Sequence, residues 1–151
     1  MNTEIIIAAA AVSALILFSG LTLRMLLKRR RGRADLFEDM EGREFEYFCA
    51  ELLEQRGFVD VEVTRGSGDY GIDILAEKEG VTYAIQCKCY TSPVGVHAVQ
   101  EACAGREYYD RMVGAVMTNQ YFTAPAVEAA RKLKILLWDG GYVEEMMEEG
   151  A

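Results

Sequence analysis

The chain has 151 residues, with 16 Lys+Arg against 24 Asp+Glu and a formal net charge of −8. At about 100–200 residues per domain, this length accommodates one compact domain plus an appendage. Its 51% apolar residues, 26% charged residues and only 2 Pro exclude a disordered, collagen-like or Pro-rich linker protein.

The first segment is unlike the rest. From Ile5 to Leu23 there is no charged residue and no Pro, and the run is rich in Ile, Leu, Ala and Val. As a helix rising 1.5 Å per residue it would be ~28 Å long, close to the ~30 Å hydrocarbon core of a bilayer. Arg24, Lys28, Arg29, Arg30, Arg31 and Arg33 follow it, whereas only Glu4 and the terminal amine precede it. The positive-inside rule then predicts a single-pass anchor over residues 1–27, with the N-terminus outside and the remainder cytoplasmic. A cleaved signal peptide would carry its basic residues before the apolar run. The basic linker, 28–37, is read as a stop-transfer flank in contact with anionic lipid.

Removing this segment changes the charge picture. Residues 34–151 hold 10 basic and 23 acidic residues, a net of −13. A nucleic-acid partner ordinarily meets a basic surface, so such binding would have to be local, around a strip such as Arg43, Arg65, Lys88, Arg106 and Arg111. Cys49, Cys87, Cys89 and Cys103 lack the paired spacing of a zinc site and face a reducing compartment in the expected topology, so they read as core cysteines.

Along the domain, Met40, Phe45, Phe48, Cys49, Leu52 and Leu53 recur at helical spacing over 38–56, and Gly57 is a stop. Phe58–Arg65 alternates with period two and reads as a strand. Residues 66–71 form a turn, Ile72–Ala76 a second strand, and Glu77–Gly80 a hairpin into a third strand, Val81–Tyr90. A helix follows from Val96 to Arg111, then a buried strand, Val113–Thr118. Thr123 is a candidate N-cap with Pro125 in the first turn of a helix to about Lys134, and Ile135–Trp138 is a last strand. Tyr108, Tyr109 and Trp138 sit at core-like spacing, and residues 144–151 read as an acidic tail, either frayed or a solvated helix. The predicted fold is α/β, one mixed sheet flanked by helices and preceded by one transmembrane helix.

Three polar residues interrupt apolar strands. Asp73 lies within Gly71–Leu75, and Gln86 and Lys88 alternate with Ile85 and Cys87. On adjacent hairpin strands all three can face one side. There they would offer hard oxygens to a divalent cation and an ammonium beside an attacking water, the parts phosphodiester hydrolysis needs. Residue types alone equally allow a cross-strand Asp73–Lys88 salt bridge with Gln86 in solvent.

The spacing of further motifs resembles one family. Gly42, Glu44, Phe45 and Glu46, then Thr64–Asp73, Gln86-Cys87-Lys88, Pro93-Val94-Gly95, Val99-Gln100-Glu101, Thr118-Asn119, Phe122-Thr123 and Leu137-Trp138-Asp139 occur in the order found in the Mrr-type restriction endonuclease catalytic domain, a branch of the PD-(D/E)xK nucleases. The similarity spans residues 38–143. It implies a restriction-endonuclease-like fold and a Mg²⁺- or Mn²⁺-dependent endonuclease acting on DNA. By this resemblance Asp73 is the metal-binding aspartate, Gln86 replaces the second carboxylate as a metal ligand, Lys88 is the catalytic lysine, and Glu46, pointing at the site from the first helix, is a further catalytic residue and metal ligand. The Cys87 carbonyl would complete the metal ligands. Ser67 and Asp69 either contact phosphate or metal or serve only the turn, and Gln100 either faces the site or bonds a loop. His97 is read as a surface residue. Expected partners are DNA, membrane lipid through residues 5–27 and the basic flank, and optionally a second copy of the chain. Such enzymes often carry a separate DNA-reading module where this chain has its apolar segment, which argues against sequence-specific restriction. The competing reading is a non-catalytic binding or sensing module on the same fold.

Overall fold

The structure, a computed structural model, describes residues 15–22, 24, 37, 39–65 and 70–148. Two compact units divide at Asp39/Met40. In the first, residues 15–22 and 24 are helical, with Leu15, Ile16, Leu17, Phe18 and Leu21 exposed. Ser19 and Thr22 return their hydroxyls to carbonyls three residues back, at 2.9 Å each. Among the described residues no helix is long and apolar enough to cross a membrane. Most of the expected span over 5–27, and all of the linker except Phe37, lies outside the described residues.

The second unit contains α1 (Gly42–Gln55), β1 (Val59–Val63), β2 (Ile74–Lys78), β3 (Val81–Lys88), α2 (Val96–Tyr108), β4 (Val113–Thr118), α3 (Ala124–Leu133), β5 (Ile135–Trp138) and α4 (Gly140–Glu148). The strands form one five-stranded sheet in sequence order, antiparallel from β1 to β3 and parallel from β3 to β5. This is the predicted mixed α/β arrangement.

Local chemistry explains the element ends. Glu41 and Glu44 make a reciprocal capping box that starts α1. The Thr123 hydroxyl accepts from Ala126 N–H and Pro125 stands in the first turn, so α3 starts where its sequence signal places it. Lys134, in the left-handed region, turns the chain directly into β5.

The helices cover both faces of the sheet because strand residues alternate sides. Phe45, Cys49, Leu52 and Leu53 of α1 are buried on the face that carries Cys87. On the other face, Val99 and Ala102 of α2 and Ala126 and Ala130 of α3 pack with Val116 and Ile135. At β2 the close approach of α2 depends on Gly105, since a Cβ there would collide with the Ile72 side chain.

The strand expected over Phe58–Arg65 is observed as Val59–Val63, but irregularly: Asp60 takes φ +50° and the pairing with β2 slips between Val59 and Glu62, a bulge that perfect alternation cannot reveal. Of the two forms expected after 143, the helix is the one observed: α4 runs to Glu148, and it is packed rather than fully solvated, since Val143 and Met146, three residues apart, are buried. Tyr108 is not core. It is 56% exposed and stacks on Tyr70, whereas Tyr109 packs beside Ile72, Leu75 and Ala84, and Trp138 is buried among Phe58, Tyr83 and Tyr142.

Candidate functional site

Pairing of Ile74 with Ile85 puts Asp73 opposite Gln86 at the end of the β2–β3 hairpin. Both are buried, and both lie on the face covered by α2. Thr64 anchors this end of β2: its N–H donates to Asp73 O (2.9 Å) and its buried hydroxyl to Ile72 O (2.7 Å). Asp73 N–H in turn donates to Ile85 O at 2.9 Å.

With its backbone so held, the Asp73 carboxylate points across to β3. Its Oδ2 accepts from the Cys87 N–H (2.6 Å) and from Gln86 Nε2. Gln86 Nε2 also donates to Cys87 O at 3.2 Å, while Gln86 Oε1 is buried and accepts no hydrogen bond. A buried acceptor without a donor is costly, so this oxygen marks a place where a ligand would be welcome. Gln86 is therefore not the solvated strand residue of the salt-bridge reading.

Lys88 does not take Asp73 as its nearest partner either. Its Nζ lies 2.9 Å from Glu101 Oε2, on α2. Burial pulls the Lys88 pKa down, but the contact with Glu101 and the charges of Glu101, Tyr90 and Asp73 outweigh it, leaving the ammonium above its ordinary value. Lys88 thus carries its charge at neutral pH. The strand beyond it is fixed by β4: the Thr118 hydroxyl donates to Lys88 O (2.6 Å), and the Asn119 amide bonds both Tyr90 N–H and Tyr90 O at 2.9 Å.

Glu46 stands on α1 and pairs with Arg43 Nη1 at 2.7 Å. The same Arg43 nitrogen donates to Thr64 O (2.8 Å), so Glu46 is linked to the Asp73 strand through Arg43 and Thr64. The Cys87 thiol is held well above its ordinary pKa, first by its hydrogen bond with Cys49, then by burial, then by the charges of Cys49, Asp73 and Glu46. It is a neutral core thiol rather than a nucleophile.

Ser67 and Asp69 lie outside the described residues. Gln100 is exposed on α2, and its neighbour Glu101 reaches Lys88 instead. His97 is a surface residue, as expected, with Nδ1 3.2 Å from Glu101 Oε1. Glu101 is the residue whose role the sequence reading missed. Its signal was present: on a helix it lies three residues after the buried Ala98 and four before the buried Gly105, at the edge of the face packed on the sheet, where a carboxylate can meet a strand cation. The proposed basic strip is largely compensated, with Arg43 paired to Glu46, Lys88 to Glu101 and Arg106 to Glu107.

The chemistry gathered at the end of the two hairpin strands is the Asp73 carboxylate, the Gln86 amide, the Cys87 carbonyl and the Lys88 ammonium, the last paired with a second carboxylate, Glu101, from α2. Among the described residues no group of three or more His, Cys, Asp or Glu side chains could hold a metal.

Comparison with known proteins agrees with the fold. A family model described as restriction endonuclease, Mrr_cat, matches residues 37–147. A protein of unknown function, AF1548, is similar in structure at 25% identity and a TM-score of 0.57, over 69% of this chain and 64% of that one. The DNA modification-dependent restriction endonuclease AspBHI matches at 20% identity and a TM-score of 0.56, over 83% of this chain and 35% of its own. The MspJI restriction endonuclease, solved in complex with a 27-mer oligonucleotide, matches at 17% identity and a TM-score of 0.57, over 77% and 30%. The chain thus spans under two thirds of the first of these and about a third of the other two. No curated protein matches the sequence. With the family model covering the whole sheet and all of its helices but the last residue of α4, the chain belongs to the Mrr_cat restriction endonuclease family.

Proposed function

We propose that this chain is a membrane-anchored, Mg²⁺- or Mn²⁺-dependent endonuclease that hydrolyses DNA phosphodiester bonds at the cytoplasmic face. The observation that carries the reading is the convergence of Asp73, Gln86 and Lys88 at one hairpin end within the residues that match the nuclease family.

The donor set suits a hard cation. Asp73, the Gln86 amide oxygen and the Cys87 carbonyl are oxygen ligands of the kind Mg²⁺ and Mn²⁺ take, with water completing the set. Gln86 now turns its N–H₂ toward Asp73 Oδ2 and Cys87 O while its own oxygen has no donor. Exchanging the two ends of that amide replaces the donor by an acceptor and aligns three oxygens. When bound, the cation supplies Lewis-acid polarisation of the phosphoryl oxygen and a more acidic water. Lys88, held as an ammonium beside Glu101, orients that water or neutralises charge on the phosphoryl oxygens by donating hydrogen bonds. Glu46, through Arg43 and Thr64, steadies the Asp73 strand. The net charge of −13 and the paired arginines favour weak, salt-sensitive DNA binding.

The anchor rests on the uncharged run Ile5–Leu23, its basic flank and the exposed apolar side chains of the helix at 15–22. A reporter fused after Ala151 is expected to be active only in the cytoplasm; activity on the opposite side overturns the orientation.

For the chemistry, the full chain in detergent is incubated with plasmid and Mg²⁺ or Mn²⁺, beside Asp73→Ala and Lys88→Ala. The parent is expected to nick or linearise the plasmid, and each variant to lose at least about 100-fold in rate. Cleavage that survives both substitutions removes the site assignment. Binding without cleavage in any metal favours a sensing module on the nuclease fold.

A further inference from the structure

We propose that Glu101 is a positioning residue for Lys88: α2, through this carboxylate, decides where the ammonium stands relative to Asp73 and Gln86. The inference rests on the nuclease reading above.

Four observations carry it. Glu101 Oε2 is 2.9 Å from Lys88 Nζ, and its other oxygen is 3.2 Å from His97 Nδ1. Glu101 borders the buried stripe of α2 that includes Ala98, Ala102 and Gly105, with its own side chain 30% exposed, so it reaches Lys88 from the helix side that faces the sheet. Its stem is wedged against the chain leading into Asp73, since a Cβ at Gly71 would lie 2.9 Å from Glu101 Cβ and 3.3 Å from Glu101 Cγ. Finally, Lys88 borders a cleft of about 150 Å³, lined also by Tyr90, Val94, Gly95 and His97, into which a long, flexible side chain can swing once released. Held at one end by β3 and at the other by α2, the lysine is pre-organised. With β3 alone it would not be.

The full chain, purified in detergent, is compared with Glu101→Gln, Glu101→Asp, Lys88→Ala and the double variant Glu101→Gln/Lys88→Ala. Positioning predicts a single-turnover rate reduced by about 10- to 100-fold in Glu101→Gln. It also predicts partial recovery in Glu101→Asp, no loss of plasmid affinity in Ca²⁺, and a double variant no slower than Lys88→Ala alone. A Glu101→Gln rate within about twofold of the parent, or the same loss repeated on the Lys88→Ala background, overturns the proposal. A second readout needs no turnover: ¹⁵N relaxation of the Lys88 ammonium is expected to show it ordered in the parent and mobile in Glu101→Gln. If the parent cleaves nothing, the nuclease reading fails on its own and this measurement still decides the positioning. Equal order in both proteins overturns it.

Discussion

Gly71 and Glu101 meet with no space between them for a methyl group. A Cβ on Gly71 would stand 2.9 Å from Glu101 Cβ and 3.1 Å from the undonated Gln86 Oε1, and Gly71 itself has φ +75°. Two constraints thus fall on one residue, a left-handed backbone and a close approach to the site. Gly71→Ala is expected to destabilise the domain by about 1–3 kcal/mol and to displace Gln86 and Glu101. Urea unfolding measures the first effect. A variant as stable as the parent would show that the turn relaxes freely.

Replacing Gln86 by Glu restores the carboxylate that the family resemblance marks as missing. Gln86 Nε2 now donates to Asp73 Oδ2, so Gln86→Glu sets two buried carboxyls against each other. Repulsion raises the pKa of one of them above its unfolded value. The sign follows: relative stability is retained at low pH and lost as pH rises through that raised pKa. Thermal melts at pH 5 and pH 8 should therefore diverge more in the variant than in the parent. Mn²⁺ should restore the loss at pH 8, since a cation between two carboxylates removes their repulsion. A variant with the parent's pH profile and no response to Mn²⁺ would place the metal elsewhere.

Lys88 and Cys87 both retain protons in the folded state longer than in the unfolded chain. Lys88 is raised against the opposing pull of burial by its contact with Glu101, and Cys87 by its hydrogen bond with Cys49 and by burial. The stability each contributes is fully present below its unfolded pKa, about 10.4 for a lysine and about 8.5 for a thiol, and is lost as pH rises toward the folded value. Denaturant midpoints should fall on the alkaline side, beginning near the thiol range and steepening near the lysine range. Glu101→Gln should reduce the second part only. At pH 8 Cys87 should alkylate far more slowly in the folded chain than after unfolding.

Val143 is fully buried in the helix that the acidic composition disguises. Val143→Asp is expected to cost about 3 kcal/mol or more, because it places an unpaired charge in the core. A change within about 0.5 kcal/mol of neutral, the range of ordinary surface substitutions, would mean that α4 contributes nothing to the domain.

Much of the scaffold was legible because its signals are local. Thr123 followed by Pro125 marks a helix start whatever surrounds it, and Ile135–Trp138 is a strand in both readings because its length is set by Lys134 and the helix that follows. The interruption of apolar strands by Asp73, Gln86 and Lys88 was equally local, since period-two alternation identifies a polar residue facing inward. The bulge at Asp60 was not, because a left-handed residue inside an alternating strand leaves the alternation intact on paper. Nor was the burial of α4, whose glutamates mask two apolar anchors.

By itself the sequence determined the order of elements, the identity of the three polar strand residues and the unequal charge of the apolar N-terminal segment and the acidic domain. These are properties of neighbours along the chain, and backbone geometry translates them directly into faces and ends. Only the tertiary structure decided the partners. It put Gln86 in the interior against Asp73, tied Glu46 to that strand through Arg43 and Thr64, and gave Lys88 to Glu101 rather than to Asp73. The reason is distance in the chain: an ion pair between residues thirteen positions apart on a strand and a helix exists only once the crossover from β3 has laid α2 across the sheet. Which cation meets which carboxylate is a result of packing, and packing is not a local property.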